Sequence, residues 1–170
     1  MRPPLFPRLA SAAYGLCLAV IGADQASKYW ILNVLHLQED APHPVIGGFR
    51  LSMVWNPGVS FGFFRDHADW ARWGFCAFSL IVAAGLAVWA RRVERPILAG
   101  AIGLIMGGAV GNVVDRVRFG RVADFLDFSP IHVFGLNFPW VFNVADSAIC
   151  IGVGLLLLDG LLAPRKSVAA

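Results

Sequence analysis

Residues 141–162 read VFNVADSAICIGVGLLLLDGLL, an apolar run with Asn143, Asp146 and Ser147 near its start and Asp159 near its finish. A helix that crosses a bilayer needs about 20 mainly apolar residues, and this run has that length. Three more of the same kind precede it. Leu9 to Ala23 is apolar apart from Ser11, meets Asp24 and Gln25, and resumes through Tyr29, Trp30, Ile31 and Leu32. Trp70 to Trp89 is broken only by Arg72 and Ser79, and Ile97 to Val114 turns glycine-rich at its end. One integral-membrane domain over residues 1–170 is expected, with spans at about 9–32, 70–89, 97–114 and 141–162.

The composition agrees. Of 170 residues, 58% are hydrophobic and 15% charged, with a mean hydropathy of +0.66. Soluble domains carry about 25% charge, so a soluble globular domain, a disordered chain and a disulfide scaffold are all excluded. A net charge of +3, dispersed along the chain, gives no footing for nucleic acid. Cys17, Cys76 and Cys150 each lie in an apolar run, without a C-x-x-C pair, and read as small hydrophobes.

Arg2 and Arg8 before Leu9–Ala23 imitate a cleaved signal peptide. Ile21 fits poorly as the small residue three before a cut after Ala23, and the apolar pattern continues to Leu32, so a retained first span is expected. Orientation follows from the cations. Arg2 and Arg8, then Arg91, Arg92 and Arg95, then Arg165 and Lys166 fall on one side, which the positive-inside rule makes cytoplasmic. The connections at about 34–69 and 115–140 are then extracytoplasmic. Nine of the eleven acids, all but Glu94 and Asp159, lie on or near that side, as do Trp30, Trp55, Trp70, Trp73 and Trp140.

In the first outer connection Phe49, Leu51, Met53 and Trp55 alternate with Arg50, Ser52, Val54 and Asn56, the period of a strand. Asn56-Pro57-Gly58 ends it with turn chemistry. A small sheet on the membrane surface is expected, its apolar side toward lipid or a lipid-like ligand.

Polar groups at membrane depth are costly and need a partner or a task. Asp24 and Lys28 stand at i, i+4, acid first, the favourable order for a pair. Asn112, Asp115 and Arg116 stand at i, i+3 and i+4, so one helix face again carries an acid beside a base. Asp124 and Asp146 lack such a local partner; Asp146 is expected about one and a half turns into the fourth span. Two carboxylates brought together cannot both ionise cheaply, so one keeps its proton. Such a pair can deprotonate a water and protonate a leaving amine. The spacing also admits two separate carboxylates, one capping a helix and one bonded to a neighbour.

Other chemistries fit less well. His36, His43, His67 and His132 have no metal-ligand spacing, and G-x-S-x-G does not occur. Adjacent Ser27 and Lys28 point apart on a helix, and nothing in the sequence fixes Ser60 against Lys28 as a dyad. The stretch Gly107 to Gly111 follows no strand, so it reads as a surface for close helix packing rather than a phosphate cradle.

Four motifs in order resemble those of the lipoprotein signal peptidases, the type II signal peptidases of bacteria. They are Asp24-Gln25-Ala26-Ser27-Lys28; Asn56-Pro57-Gly58-Val59-Ser60-Phe61-Gly62; the block from Gly107 through Asn112, Asp115 and Arg116 to Asp124-Phe125; and Phe142-Asn143-Val144-Ala145-Asp146-Ser147. The resemblance implies an all-α membrane protein: four transmembrane helices, a small extracytoplasmic β-cradle and a short extracytoplasmic helical segment. It implies an intramembrane aspartic endopeptidase that cuts diacylglyceryl-modified prolipoproteins just before the lipidated cysteine. Asp124 and Asp146 would be its catalytic dyad. Asn56, Gly58, Asn112, Arg116 and Asn143 would line the site, and Asp24, Lys28 and Asp115 would support it. No cofactor or metal is implied; the partners would be the substrate and membrane lipid, and the protein a monomer in the bacterial inner membrane. Val59 departs from the Ala usual in the family, and Ala123 from the branched residue that commonly precedes the family's catalytic Asp; both bear on substrate fit. The rival readings are a small ion or proton transporter using Asp24, Asp115, Asp124 and Asp146 as a relay, and a scaffold subunit whose polar helix faces bind a partner. The acids crowd at the outer ends instead of spreading across the depth, and no inverted repeat is evident.

Overall fold

The computed structural model describes residues 5–58, 68–133, 136–137 and 140–162. Arg2, Val59, Ser60, His67, Arg165 and Lys166, named above, lie outside the described residues. Four helices, α1 (Leu5–Asn33), α2 (Ala68–Ala90), α3 (Pro96–Phe119) and α4 (Val144–Leu162), are long and apolar enough to cross a membrane. They alternate in direction. The Tyr14 hydroxyl donates to the Ala87 carbonyl at 2.8 Å, joining the start of α1 to the end of α2. Arg95, just before α3, meets the Asp159 carboxylate near the end of α4 at 2.7 Å.

Helix α3 is the central one: 72% of its apolar window is buried inside the protein, against 17–22% for the other three. Its sequence explains this. With no side chain at Gly103, Gly107 and Gly108, neighbouring backbones approach closely. A Cβ on Gly103 would lie 2.6 Å from the Ala13 carbonyl, and one on Gly107 2.6 Å from the Val20 Cβ, both on α1. A Cβ on Gly108 would collide with the Ala145 carbonyl of α4. The expected close-packing role of the glycine stretch holds. Proline at the first turn starts α3, and Gly120 ends it in the left-handed region (φ 75°), donating its N–H to the Arg116 carbonyl.

Two sheets form at the end of the bundle where α1 and α3 finish and α2 and α4 begin. Strands β1 (His43–Ile46), β2 (Phe49–Asn56), β3 (Val122–Asp127) and β6 (Val141–Phe142) make an antiparallel sheet in the order β1-β2-β3-β6, and β4 (His132–Val133) pairs with β5 (Leu136–Asn137). The alternation at 49–56 is indeed a strand. Its apolar side does not face lipid or a ligand. Leu51 and Met53 are buried with Ala123 and Phe125 of β3 against Ile31, and Leu32 and Leu35 pack on the same cluster. Apolar area at the end of α1 is thereby covered by the sheet, which fixes the sheet on the bundle. The short helical segment expected outside the membrane has no counterpart among the described residues.

Candidate active site

Strand β3 brings the two unpartnered acids of the sequence together. Asp124 lies on β3, and β3 pairs with β6 through Leu126–Phe142 and Asp127–Val141. Because β6 leads directly into α4, Asp146 enters the bundle beside Asp124. The extended backbone through Phe142 delays the helix to Val144, so Asp146 stands in its first turn, not one and a half turns in. Asn143 caps that turn. Its Oδ1 accepts the Asp146 N–H at 2.8 Å, and the Asp146 carboxylate accepts the Asn143 N–H at 3.4 Å, a reciprocal box closing the helix start.

The same asparagine reaches the other acid. Its Nδ2 donates to Asp124 Oδ1 at 2.6 Å and to Asn112 Oδ1 at 3.2 Å. Asn56, at the end of β2, donates to Asp124 Oδ2 at 3.0 Å, and Asn112, on α3, donates to Asp146 Oδ1 at 2.8 Å. Each carboxylate thus accepts from amides, and among the described residues no cation contacts either directly. A cavity of about 330 Å³ opens onto both, lined also by Trp140, Phe142, Ile149 and Cys150. Burial and the nearby Asp146 carboxylate raise Asp124 from the ordinary 3.8 to about 7, against the pull of Asn56, Asn143 and Lys28.

Behind the acids lies a second polar cluster, fully buried. Lys28 Nζ stands 2.8 Å from Asp24 and 2.8 Å from Asp115, and 3.4 Å from Asn112 Oδ1. The expected Asp24–Lys28 pair is present. The acid–base pair expected within Asn112–Arg116 is not: Asp115 turns to Lys28, while Arg116 stacks toward Phe75, 5.4 Å from its ring centroid. A buried carboxylate needs the cation it can reach without solvent, and Lys28 lies between both acids. The carboxylates also hold backbone. Asp24 accepts the Ala145 N–H at 3.0 Å and Asp115 the Ala123 N–H at 3.1 Å. Ala145 and Ala123 immediately precede Asp146 and Asp124, so one lysine yokes the two segments that carry the dyad candidates. Gly111 makes room, since a Cβ there would lie 2.8 Å from the Asp24 carboxylate.

Gly58, in the left-handed region at φ 81°, donates its N–H to Asn56 Oδ1 at 2.8 Å and lies against Phe75 and Arg116. That bond aims the Asn56 amide at Asp124. Sequence reasoning singled out every residue of the two clusters except Gln25, whose Nε2 donates to Asp115 at 2.9 Å and Asp24 at 3.1 Å. Its place between i and i+4 partners on α1 is the signal that could have found it. Also missed was Asp127, bonded by Ser52, Arg50 and Ser129 on the sheet. Burial opposes its charge, yet those donors together hold its carboxyl well below the usual range. Among the described residues no group of three His, Cys, Asp or Glu side chains is placed to hold a metal ion.

Comparison with known proteins gives one answer. The model of the family described as signal peptidase (SPase) II matches residues 16–162. The lipoprotein signal peptidase of Caulobacter vibrioides is 48% identical over 158 residues, covering 92% of this chain and 90% of that one. That of Methylorubrum extorquens is 43% identical over 150 residues, covering 87% and 85%. A solved structure described as a bacterial membrane enzyme superposes with a TM-score of 0.72 at 28% identity, covering 94% of this chain and 95% of its own. A second of the same description gives 0.73 at 27% identity, covering 91% and 95%. A match across most of the chain, carried by relatives far above chance identity, means that the protein belongs to the signal peptidase II family.

Proposed function

We propose that this signal peptidase II family member removes signal peptides from diacylglyceryl-modified prolipoproteins, cleaving just before the lipidated cysteine, with Asp124 and Asp146 as the catalytic dyad. The observation that carries the reading is that Asp124 and Asp146 line one cavity, with the buried Asn143 side chain bonded to the Asp124 carboxylate and to the Asp146 N–H behind them. The dyad shares one proton and titrates as a unit. Its ionised carboxylate takes a proton from water as the water oxygen attacks the scissile carbonyl carbon. The protonated carboxyl donates to the carbonyl oxygen. On collapse a proton passes to the amide nitrogen, the C–N bond breaks, and the products are a free amino terminus on the lipidated cysteine and a carboxylate on the signal peptide.

Asn56 lines the cavity, and the reading assigns it, with Asn112, Asn143 and Arg116 behind the acids, to holding the substrate backbone, Gly58 shaping the edge. Apolar helix faces keep the substrate's acyl chains in the bilayer. The short α2–α3 connection with Arg91, Arg92 and Arg95 supports a cytoplasmic location for both termini and an extracytoplasmic one for the sheet, in the bacterial inner membrane. One copy holds both acids, which supports a monomer.

The test uses the full chain in lipid nanodiscs, with a diacylglyceryl-modified prolipoprotein and its unlipidated form, followed by gel shift. Wild type is expected to cleave the lipidated form alone. Asp124→Asn and Asp146→Asn, each purified folded, are expected to lose at least about a thousandfold in rate, as removing a catalytic group does. Turnover persisting in either variant would overturn the dyad.

A further inference from the structure

Gly120 ends α3 at the sheet end of the bundle, and three arginines gather around it. Arg118 precedes it by two residues, Arg121 follows it, and Arg72 of α2 brings its Nη1 to 3.1 Å from the position a Gly120 Cβ would take. Aromatic rings hold their guanidinium groups. Arg121 lies 4.5 Å from the Trp55 ring centroid, Trp55 5.4 Å from Phe119 with the two rings tilted by 59°, and Arg118 4.8 Å from Phe119, so two cations bracket two touching rings. Arg72 lies 4.7 Å from the Trp73 ring.

Among the described residues, close anionic partners for these arginines are scarce. Lys28, Arg50 and Arg95 each meet a buried carboxylate at 2.8 Å or less. Among the described residues Arg118 and Arg121 meet none. Arg118 donates to the Gln25 amide oxygen at 3.2 Å, and Arg72 has a 3.6 Å contact with the exposed Asp69. Arg72 Nε is buried with no acceptor among the described residues. A cation in the last turn of a helix is favoured by the helix dipole; that explains Arg118, but not Arg121, which lies beyond the helix and is stacked on Trp55. In the orientation proposed above these arginines also stand on the side of the membrane that the positive-inside rule depletes of cations.

Stacked guanidinium groups present planar forks, the geometry that matches phosphate oxygens. Exposed Trp73 and Phe119 beside them suit the headgroup level of a bilayer, where aromatic side chains collect. We propose that Arg72, Arg118 and Arg121 form a binding site for the phosphodiester headgroup of an anionic phospholipid, whose acyl chains lie along the apolar surface of α2 and α3. A zwitterionic headgroup brings its own cation and fits less well, and a free phosphate lacks the chains.

The proposal rests on the orientation of the proposed function but is read by binding, so its failure and the failure of the peptidase reading are separable. The full chain in dodecyl maltoside is titrated with phosphatidylglycerol, phosphatidylcholine and glycerol 3-phosphate, and bound ligand is counted by native mass spectrometry. Wild type is expected to bind phosphatidylglycerol saturably, at least about tenfold tighter than phosphatidylcholine, and to ignore glycerol 3-phosphate over the same range. Arg118→Gln/Arg121→Gln should bind phosphatidylglycerol about 30-fold more weakly, the loss of two attractions at a charged membrane surface. Arg91→Gln/Arg92→Gln, at the opposite end, should keep the tight site. If the glutamine variant does not purify folded, Arg118→Lys/Arg121→Lys carries the test, with a smaller loss expected because charge stays while the forks go. Binding equal to wild type in the variant that carries the test overturns the site. Phosphatidylcholine or glycerol 3-phosphate binding as tightly as phosphatidylglycerol overturns it too.

Discussion

Two pairs of carboxylates occupy the same end of the bundle, and they differ in what stands between them. Between Asp24 and Asp115 stands Lys28, 2.8 Å from each, in a cluster closed to solvent. Between Asp124 and Asp146 stands Asn143, a neutral amide, and the pair opens on a cavity. A cation within reach of two buried carboxylates holds both as braces by bonding to each of them. An amide positions carboxylates without neutralising them, which leaves the proton as the cheapest remedy for their mutual repulsion. One residue type therefore serves as scaffold in the first pair and suits acid–base chemistry in the second.

The harshest way to break this contrast is to remove the cation. Lys28→Met leaves two buried carboxylates unpaired and should lower stability by about 3–5 kcal/mol, the usual cost of stripping one partner from a buried ion pair. A thermal or denaturant shift in detergent checks it; a wild-type midpoint would mean that the yoke does not hold the bundle.

The amide is the gentler target. Asn143→Ala should cost about 1 kcal/mol through the lost helix cap and lower turnover about a hundredfold, because neither acid is then positioned. Asn143→Asp should restore the cap but place a third carboxylate beside the dyad candidates, so stability and turnover should separate between the two variants. Turnover that follows stability alone in both would reduce Asn143 to a cap.

The smallest effect sharpens the comparison through pH. Asp124 rises from 3.8 to about 7 in the fold. The unfolded chain therefore releases this proton first, and stability falls as pH rises between about 4 and 7. Asp124→Asn removes that slope. From pH 5 to pH 8 the melting temperature of wild type should drop by a few degrees more than that of the variant, since a 1 kcal/mol change moves a chain of this size by about 2–4 °C. Parallel curves would show that Asp124 ionises normally.

Much of this was legible in the chain. The apolar runs located all four helices, the alternation at 49–56 located β2, and the i, i+4 spacing located the Asp24–Lys28 bond. The glycines of α3 announced close packing. Less legible was the start of α4. Val141 and Phe142 are as apolar as the helix that follows, and only their pairing with β3 draws them out as strand, leaving Asn143-x-x-Asp146 to cap the helix. Asp115 was placed with Arg116, its neighbour in sequence, whereas its partner is 87 positions away, on α1.

By itself the sequence determined that the chain enters a membrane, how many helices it sends through, and which residues are too polar to be there without a reason. These are local properties, since transfer free energy adds residue by residue along a segment. The tertiary structure alone decided which carboxylate receives the lysine and which two are left with amides. That choice depends on contacts between α1, α3, β3 and the start of α4, and a charge in a buried site answers to whatever lies within a few ångströms in space, however far along the chain it began.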